Sequence, residues 1–326
     1  VFLSIINNNE ISFEGYGDIL QSIWYKHIKD EELNKISKFP INIFRTIKDI
    51  KLMSLSTSFR LPWYHGEFLR IINKDANKFY CRDKIKTWKE KPTENKDLHK
   101  IMYFMHGEMS NNESANNAAT TIYKILTTIW DNDKDVTHGD TTIISTNINE
   151  NNIFDKLHVI LKKNNIPVKL YKTKSGDRTE TINMNLLKED KCSKCGKKFK
   201  QKSTNCEKCE TIRKRNKVAL ISGHGFKGGE SKLVVAFGLS EKALPKENRP
   251  NTPNELTDIS VMEVVCSRSE KYMFIGSNQS PTRYITNNML NLSNALYLVQ
   301  DFPYYLDKEI TNVKRNGQFA LSDSIK

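Results

Sequence analysis

Lys217-Val218-Ala219-Leu220-Ile221-Ser222-Gly223-His224-Gly225-Phe226-Lys227-Gly228-Gly229-Glu230, followed closely by Leu233-Val234-Val235-Ala236-Phe237, sets two apolar runs on either side of a glycine-rich loop. A short apolar run without polar alternation predicts a strand covered on both faces, which is the habit of parallel sheets. The loop follows a strand, as phosphate-cradling loops do. It lacks the Gly-Lys-Ser/Thr ending of a Walker A loop.

Working outward, the same kind of run recurs at Ile101-Met102-Tyr103-Phe104-Met105, Thr141-Thr142-Ile143-Ile144-Ser145, Val168-Lys169-Leu170-Tyr171 and Tyr272-Met273-Phe274-Ile275-Gly276. Between them lie segments with helical spacing. Ser110 to Trp130 places Ile122, Ile125, Leu126 and Ile129 on one face, and a second helix runs through Phe154, Leu157, Ile160 and Leu161. Further helices are expected over 30–50, from Pro62 through Ile72, and over 257–266, with a short strand at Lys51–Leu55. Strands alternating with helices of this length predict an α/β fold with a parallel sheet and flanking helices. The rhythm breaks at 172–217, which is polar, rich in lysine and carries four cysteines. No internal repeat is apparent.

Composition narrows the function classes. Lys and Arg number 51 against 38 Asp and Glu, for a formal net charge of +13, and such a balance suits a polyanionic partner, nucleic acid first. Forty of the basic residues are Lys, and Asn and Ile are also abundant. That bias suits an AT-rich genome, such as a large DNA virus or a parasite, and it weakens charge as evidence by itself. No run of apolar residues is long enough to predict a membrane span. The opening Val1-Phe2-Leu3-Ser4-Ile5-Ile6 reads as a buried strand rather than a signal peptide, and Val1 in place of Met suggests a start partway along a longer chain.

Cys192-x-x-Cys195 and Cys206-x-x-Cys209 have the spacing of two metal-binding knuckles. Each pair puts two thiolates on one ion, and two pairs close a tetrahedral, all-sulfur, structural zinc site with no open position for catalysis. Gly196 permits the turn that such a knuckle needs. Clustered cysteines of this kind point to a reducing, intracellular compartment, nucleus or cytoplasm. Residues 191–217 carry eleven Lys or Arg against Glu207 and Glu210. With Phe199 inside the loop, Lys197, Lys198 and Lys200 are candidate contacts to a phosphate backbone. The other reading of this module is a solvated hairpin that only stabilises. Cys81 and Cys266 read as buried small hydrophobes, and His27, His65, His99, His106, His138 and His158 as ordinary core or surface residues.

Four segments together resemble the UvrD/Rep-type superfamily 1 DNA helicases, in the family's order. Gly17-Asp18-Ile19-Leu20-Gln21-Ser22-Ile23-Trp24 is similar to motif III, and Leu55-Ser56-Thr57-Ser58-Phe59-Arg60 to motif IV. Ser222, His224, Lys227, Gly228 and Glu230 match motif V, and Val264-Val265-Cys266-Ser267-Arg268 with the strand after it matches motif VI. The resemblance covers roughly 1–171 and 217–285. Gly229, where the family usually has an aliphatic residue, is expected to loosen the turn. Where the family inserts its 2B subdomain this chain has about 45 residues, rebuilt around the cysteines.

The resemblance implies a division into the end of a first RecA-like lobe (1–28), a second RecA-like lobe in two parts (29–171 and 217–290), an inserted zinc ribbon (172–216) and a C-terminal extension (291–326). It implies the C-terminal half of an ATP-dependent DNA helicase or translocase, with ATP and Mg2+ shared with a first lobe that supplies the Walker A loop. That lobe would be an upstream segment or a separate chain. Arg60 and Arg268 would stabilise charge on the γ-phosphate, and Gln21 would couple nucleotide state to single-stranded or junction DNA. Glu230, with Gly228 and Lys227 in the same loop, would contact the nucleotide; Lys227 and His224 could instead serve the DNA-facing loop or packing. Trp24 or Tyr25 would stack on a base. For Arg268 the plainer reading is a surface arginine paired with Glu270. From a different class, the chain could be a non-catalytic zinc-ribbon nucleic-acid-binding protein derived from a helicase lobe.

Overall fold

The computed structural model describes residues 57–73, 86–91, 100–105, 112–145, 152–171, 183–200, 203–223, 225–226, 229–238, 263–277 and 296–299. Their order is β1 (Thr57–Ser58), α1 (Trp63–Ile72), β2 (Lys86–Thr87), β3 (Ile101–Met105), α2 (Asn112–Asn132), β4 (Thr141–Ser145), α3 (Asn152–Lys163), β5 (Val168–Leu170), β6 (Val218–Ser222), β7 (Ser231–Phe237), β8 (Ser269–Ser277) and β9 (Leu296–Val299). The expected strand Lys51–Leu55, the helix over 30–50 and most of the helix over 257–266 lie outside the described residues. Of the last, only 263–266 is described, as helix.

Seven strands form one sheet in the order β5-β6-β4-β7-β8-β3-β9, and every pairing among them is parallel. The α/β reading of the apolar runs therefore holds. β4, β6 and most of β7 are buried along their length, as unalternating runs require. The pleat divides their side chains by a period of two. Phe104, Ile143, Leu220, Val235 and Phe274 join one core with Ile122, Ile125, Leu126 and Ile129 of α2 and Phe154, Leu157 and Leu161 of α3. The alternate residues, Ile144, Ile221, Val234, Ala236, Met273 and Ile275, are buried on the opposite face. A side chain at Gly223 would there meet Ile144 and Val265.

Local signals end the elements where the sequence suggests. Pro62 sits at the N-cap of α1, where a missing N–H costs nothing. α3 stops at Asn165, which takes the left-handed conformation (φ 57°) while Ile166 N–H closes back onto Leu161 O at 2.9 Å. β8 begins at Ser269, three residues earlier than the apolar run suggests, because Ser231 pairs with Ser269 across the sheet. β9, part of the extension without a recognised motif, adds an edge strand beside β3. Among the described residues no helix is long and apolar enough to cross a membrane.

Candidate functional site

Because the sheet is parallel, all of its strands begin at one edge. Glu230 and Arg268 each stand one residue before a strand, β7 and β8, and Ser231 N–H donates to Arg268 O at 3.0 Å. Arg60 comes to the same place from the turn between β1 and α1. Its Nη1 donates to Glu230 Oε2 at 3.1 Å and its Nη2 to the carbonyl of Ser267 at 2.7 Å. Three segments separated by 170 and 207 residues of sequence thus converge on one edge.

Two further ties fix this convergence. At the end of α1, Asn73 donates its side-chain amide to the Glu263 carboxylate, both groups being buried. At its start, Leu61 N–H is held by Ser58 Oγ at 3.2 Å. Gly66 lets α1 lie close on β2, since a side chain there would run into Thr87. Arg60 is consequently presented by a braced turn. Arg268 is only 4% exposed, and its Nε donates to Val264 O at 2.9 Å. The reading of a surface arginine is thereby corrected: the start of β8 lies inside the packed edge, and the side chain folds back on the helix before it.

The glycine-rich loop joins opposite edges of the sheet. Ser222 is level with Ser145 and with Phe237 at the far end of β7, whereas Glu230 stands just before the start of that strand. Ser222 Oγ accepts from Gly225 N–H at 3.0 Å. The expectation of a looser turn at Gly229 fails. Gly229 N–H donates to Phe226 O at 2.8 Å, and a Cβ there would lie 2.5 Å from the buried Phe226 ring. Phe226 fills the space that an aliphatic residue at 229 would take, so the turn is tight. Gln21, Trp24, Tyr25, His224, Lys227 and Gly228 lie outside the described residues.

The structure also adds an aromatic pair. Phe59 and Trp88 stack at 5.2 Å between ring centroids, tilted by 35°, and are 67% and 69% exposed immediately beside Arg60. Lys91 Nζ stands 5.3 Å from the Trp63 ring nearby. Exposed rings with adjacent cations offer a planar, π-rich surface to a base. Phe59 was within reach of sequence reasoning as the aromatic before Arg60. Trp88 was not, because only the parallel pairing of β1 with β2 brings it there.

The four cysteine sulfurs lie within 4.8 Å of one another. Cys192 to Cys209 is 3.4 Å, Cys195 to Cys206 3.5 Å and Cys195 to Cys209 3.7 Å. A tetrahedral ion with bonds of about 2.3 Å requires sulfurs about 3.8 Å apart, so this donor set could hold a zinc ion. The hydroxyl of Thr211, 3.1 Å from Cys209 Sγ, and the Thr211 backbone hold that thiol below the usual thiol range.

The module is an internal repeat at an offset of fourteen residues, which the sequence reading missed. Gly196 N–H closes onto Cys192 O, and Glu210 N–H onto Cys206 O, each at 2.8 Å and each from a left-handed residue (φ 70° and 54°). Cys192 N–H donates to Lys197 O and Cys206 N–H to Thr211 O, again at 2.8 Å. Antiparallel bridges Lys191–Lys198 and Asn205–Ile212 complete the two halves. Phe199 and Arg213, equivalent by the repeat, stack on each other at 5.4 Å. Of the candidate phosphate contacts, Lys197 and Lys200 both pair with Glu207, at 3.1 and 2.5 Å, while Lys198 is exposed.

The module's root lies at the same edge as Arg60. Its two legs zip together through Glu189 N–H to Lys214 O (2.9 Å), Arg213 Nε to Glu189 O (2.6 Å) and Lys217 Nζ to Asp190 (2.8 Å). The next residue along, Arg215, was counted in sequence only as one more positive charge. Its Nη1 reaches Glu230 O at 3.5 Å, and a side chain at Gly139, in the turn before β4, would collide with its backbone.

No family model matches the chain, and no curated protein matches it. Among solved structures it is similar to the C-terminal domain of a possible DNA helicase from Lactobacillus plantarum WCFS1. That similarity has 11% identity and a TM-score of 0.38, and it covers 74% of this chain and 98% of that one. So loose a likeness carries no argument about function, which rests on the residues themselves.

Proposed function

We propose that the chain is the second RecA-like lobe of an ATP-dependent, UvrD-type DNA helicase or translocase, and that the edge carrying Arg60, Glu230 and Arg268 faces ATP held by a first lobe. The supporting observation is the convergence of Arg60 on both the Glu230 carboxylate and the Ser267 carbonyl. Two arginines and a carboxylate, gathered where β7 and β8 begin, can read a triphosphate and its sugar. ATP would arrive with Mg2+ bound by the first lobe.

In this reading Arg60 and Arg268 neutralise charge that develops on the γ-phosphate, a contribution worth about 10³–10⁵ in turnover for an arginine finger. Both must first let go of present partners, Glu230 and the Ser267 carbonyl for Arg60 and the Val264 carbonyl for Arg268. Glu230 would pass from Arg60 to the nucleotide, and the Phe59–Trp88 pair would offer a stacking face beside it. The far edge, with Ser222, would serve the DNA side, and by the resemblance His224, Gln21 and Trp24 or Tyr25 would serve DNA as well. The four-cysteine module would be a zinc ribbon, its lysines lying along the phosphate backbone.

A second reading is a non-catalytic zinc-ribbon nucleic-acid-binding protein. It is favoured by the engagement of both arginines with groups of the chain itself. ATP turnover separates the two when the chain is combined with a first lobe. Arg268→Ala should lower turnover by at least about 10³-fold and leave DNA affinity nearly unchanged. Turnover that survives the substitution removes the finger role.

A further inference from the structure

We propose that Arg215 is a positioning residue that couples the four-cysteine module to the Arg60–Glu230 pair, so that nucleic acid on the module alters nucleotide affinity at the sheet edge. This rests on the function proposed above and adds to it a physical link between its two binding surfaces.

The link is short. Arg215 lies three residues before β6 and is bridged to Lys188 in the other leg of the module. Asn216 and Lys217 N–H both close onto the carbonyl of Leu187, a fully buried residue, at 3.0 and 3.2 Å. The legs therefore move as a unit with the knuckles above them. From that unit the Arg215 side chain meets Glu230 O, while the Glu230 carboxylate holds Arg60. At Gly139 no Cβ fits against the Arg215 carbonyl, so a displaced root must displace this turn or withdraw from it.

The root also has spare hydrogen-bonding capacity of the right kind. Arg215 Nε and Nη2, Glu189 Oε2 and Asn216 Oδ1 are all buried without a hydrogen-bond partner. Buried orphan donors and acceptors are rare and costly, and they mark a place where a second arrangement can be nearly as good as the first. The Nε–Nη2 edge of a guanidinium is its bidentate edge for a carboxylate. A modest shift of the root would let that edge displace Arg60 from the Glu230 carboxylate, whose remaining lone pairs would still serve the nucleotide. Arg60, then held only by the Ser267 carbonyl, could turn toward phosphate. Nucleic acid that repositions the module would bias this exchange, and by linkage nucleotide would bias nucleic-acid affinity equally.

The test is a linkage cycle on the full chain, loaded with zinc and combined with a first RecA-like lobe that supplies the Walker A loop. MgATP is titrated calorimetrically with and without saturating (dT)20, and the ratio of the two dissociation constants is read. The wild-type chain should show a ratio of about five or more, and Arg215→Gln, which keeps much of the stem but loses the fork, should bring it below about two. Zinc content and melting temperature verify that the variant is folded. As a second arm, chelating zinc from the wild-type chain should erase the ratio by the same route. A wild-type ratio near one, or a ratio that survives Arg215→Gln or zinc removal, overturns the coupling while leaving the proposed function standing. MgATP bound no more tightly by the combination than by the first lobe alone overturns both.

Discussion

From Val218 to Phe237 nearly every described residue is buried, whereas between Lys191 and Arg213 only Cys192, Phe199, Cys206 and Arg213 are. The first stretch belongs to a sheet covered on both faces and is held by apolar burial. The second has almost no interior, and a segment of its size cannot stand on burial alone. What holds it is the geometry of two knuckles around four sulfurs, reproduced twice with different side chains. Stability in the sheet is therefore spread over many residues, and stability in the module is concentrated in one site. The two meet at the edge where Arg215 touches Glu230.

This contrast is broken most severely through the cysteines. Cys206→Ser should abolish stoichiometric zinc binding and open 188–216 to protease, while the main melting transition moves by only a few degrees. Collapse of the whole chain would show that the module is integral to the sheet. The reverse experiment is Phe274→Ala, at a position 1% exposed in β8 and packed in the core under α2 and α3. It should cost about 3–5 kcal/mol in denaturant unfolding and leave zinc affinity per folded molecule unchanged.

Gly139→Ala acts where the regions touch. The added methyl meets the Arg215 backbone, and the predicted cost is about 1–3 kcal/mol with loosened protection of amides on both sides of the contact by hydrogen exchange. An unaltered exchange pattern would mean that the root is not clamped there.

The smallest effect concerns Asp133, which ties the end of α2 to β8 through Lys271 at 2.6 Å and Tyr272 at 2.8 Å. Burial works to raise this carboxyl, but hydrogen bonds from Lys271, Tyr272 and Asp135 N–H outweigh it and hold it below the usual carboxylate range. A depressed folded value gives stability that is fully present above about pH 4 and is lost as pH falls through the depressed value. Asp133→Asn should lower stability by less than about 1 kcal/mol at neutral pH, and the difference from wild type should vanish in acid.

What the sequence disclosed follows from the same contrast. Continuous apolar runs name the strands of a doubly covered sheet almost residue by residue, and cysteine spacing names the four sulfurs that could hold a metal ion. The module's repeat stayed hidden because its halves share backbone hydrogen bonds and not residue types: Gly196 answers to Glu210, Lys198 to Ile212 and Phe199 to Arg213. The tight turn at Gly229 was misjudged because Phe226, three positions earlier, supplies the missing side chain through space. Arg215 and Trp88 were invisible for a related reason. Their surroundings are made by pairings between distant strands and legs, and no local pattern records those.

The central claim is that guanidinium groups brought to one sheet edge act on a single phosphate. It is tested most directly by ATP turnover of Arg60→Ala, Arg268→Ala and the double variant, each combined with a first RecA-like lobe. The account predicts a loss of at least about 10³-fold for each single variant, and a double variant scarcely worse than the poorer single one, since groups acting on one charge as a unit are not additive. Turnover at the wild-type level in either single variant would contradict it.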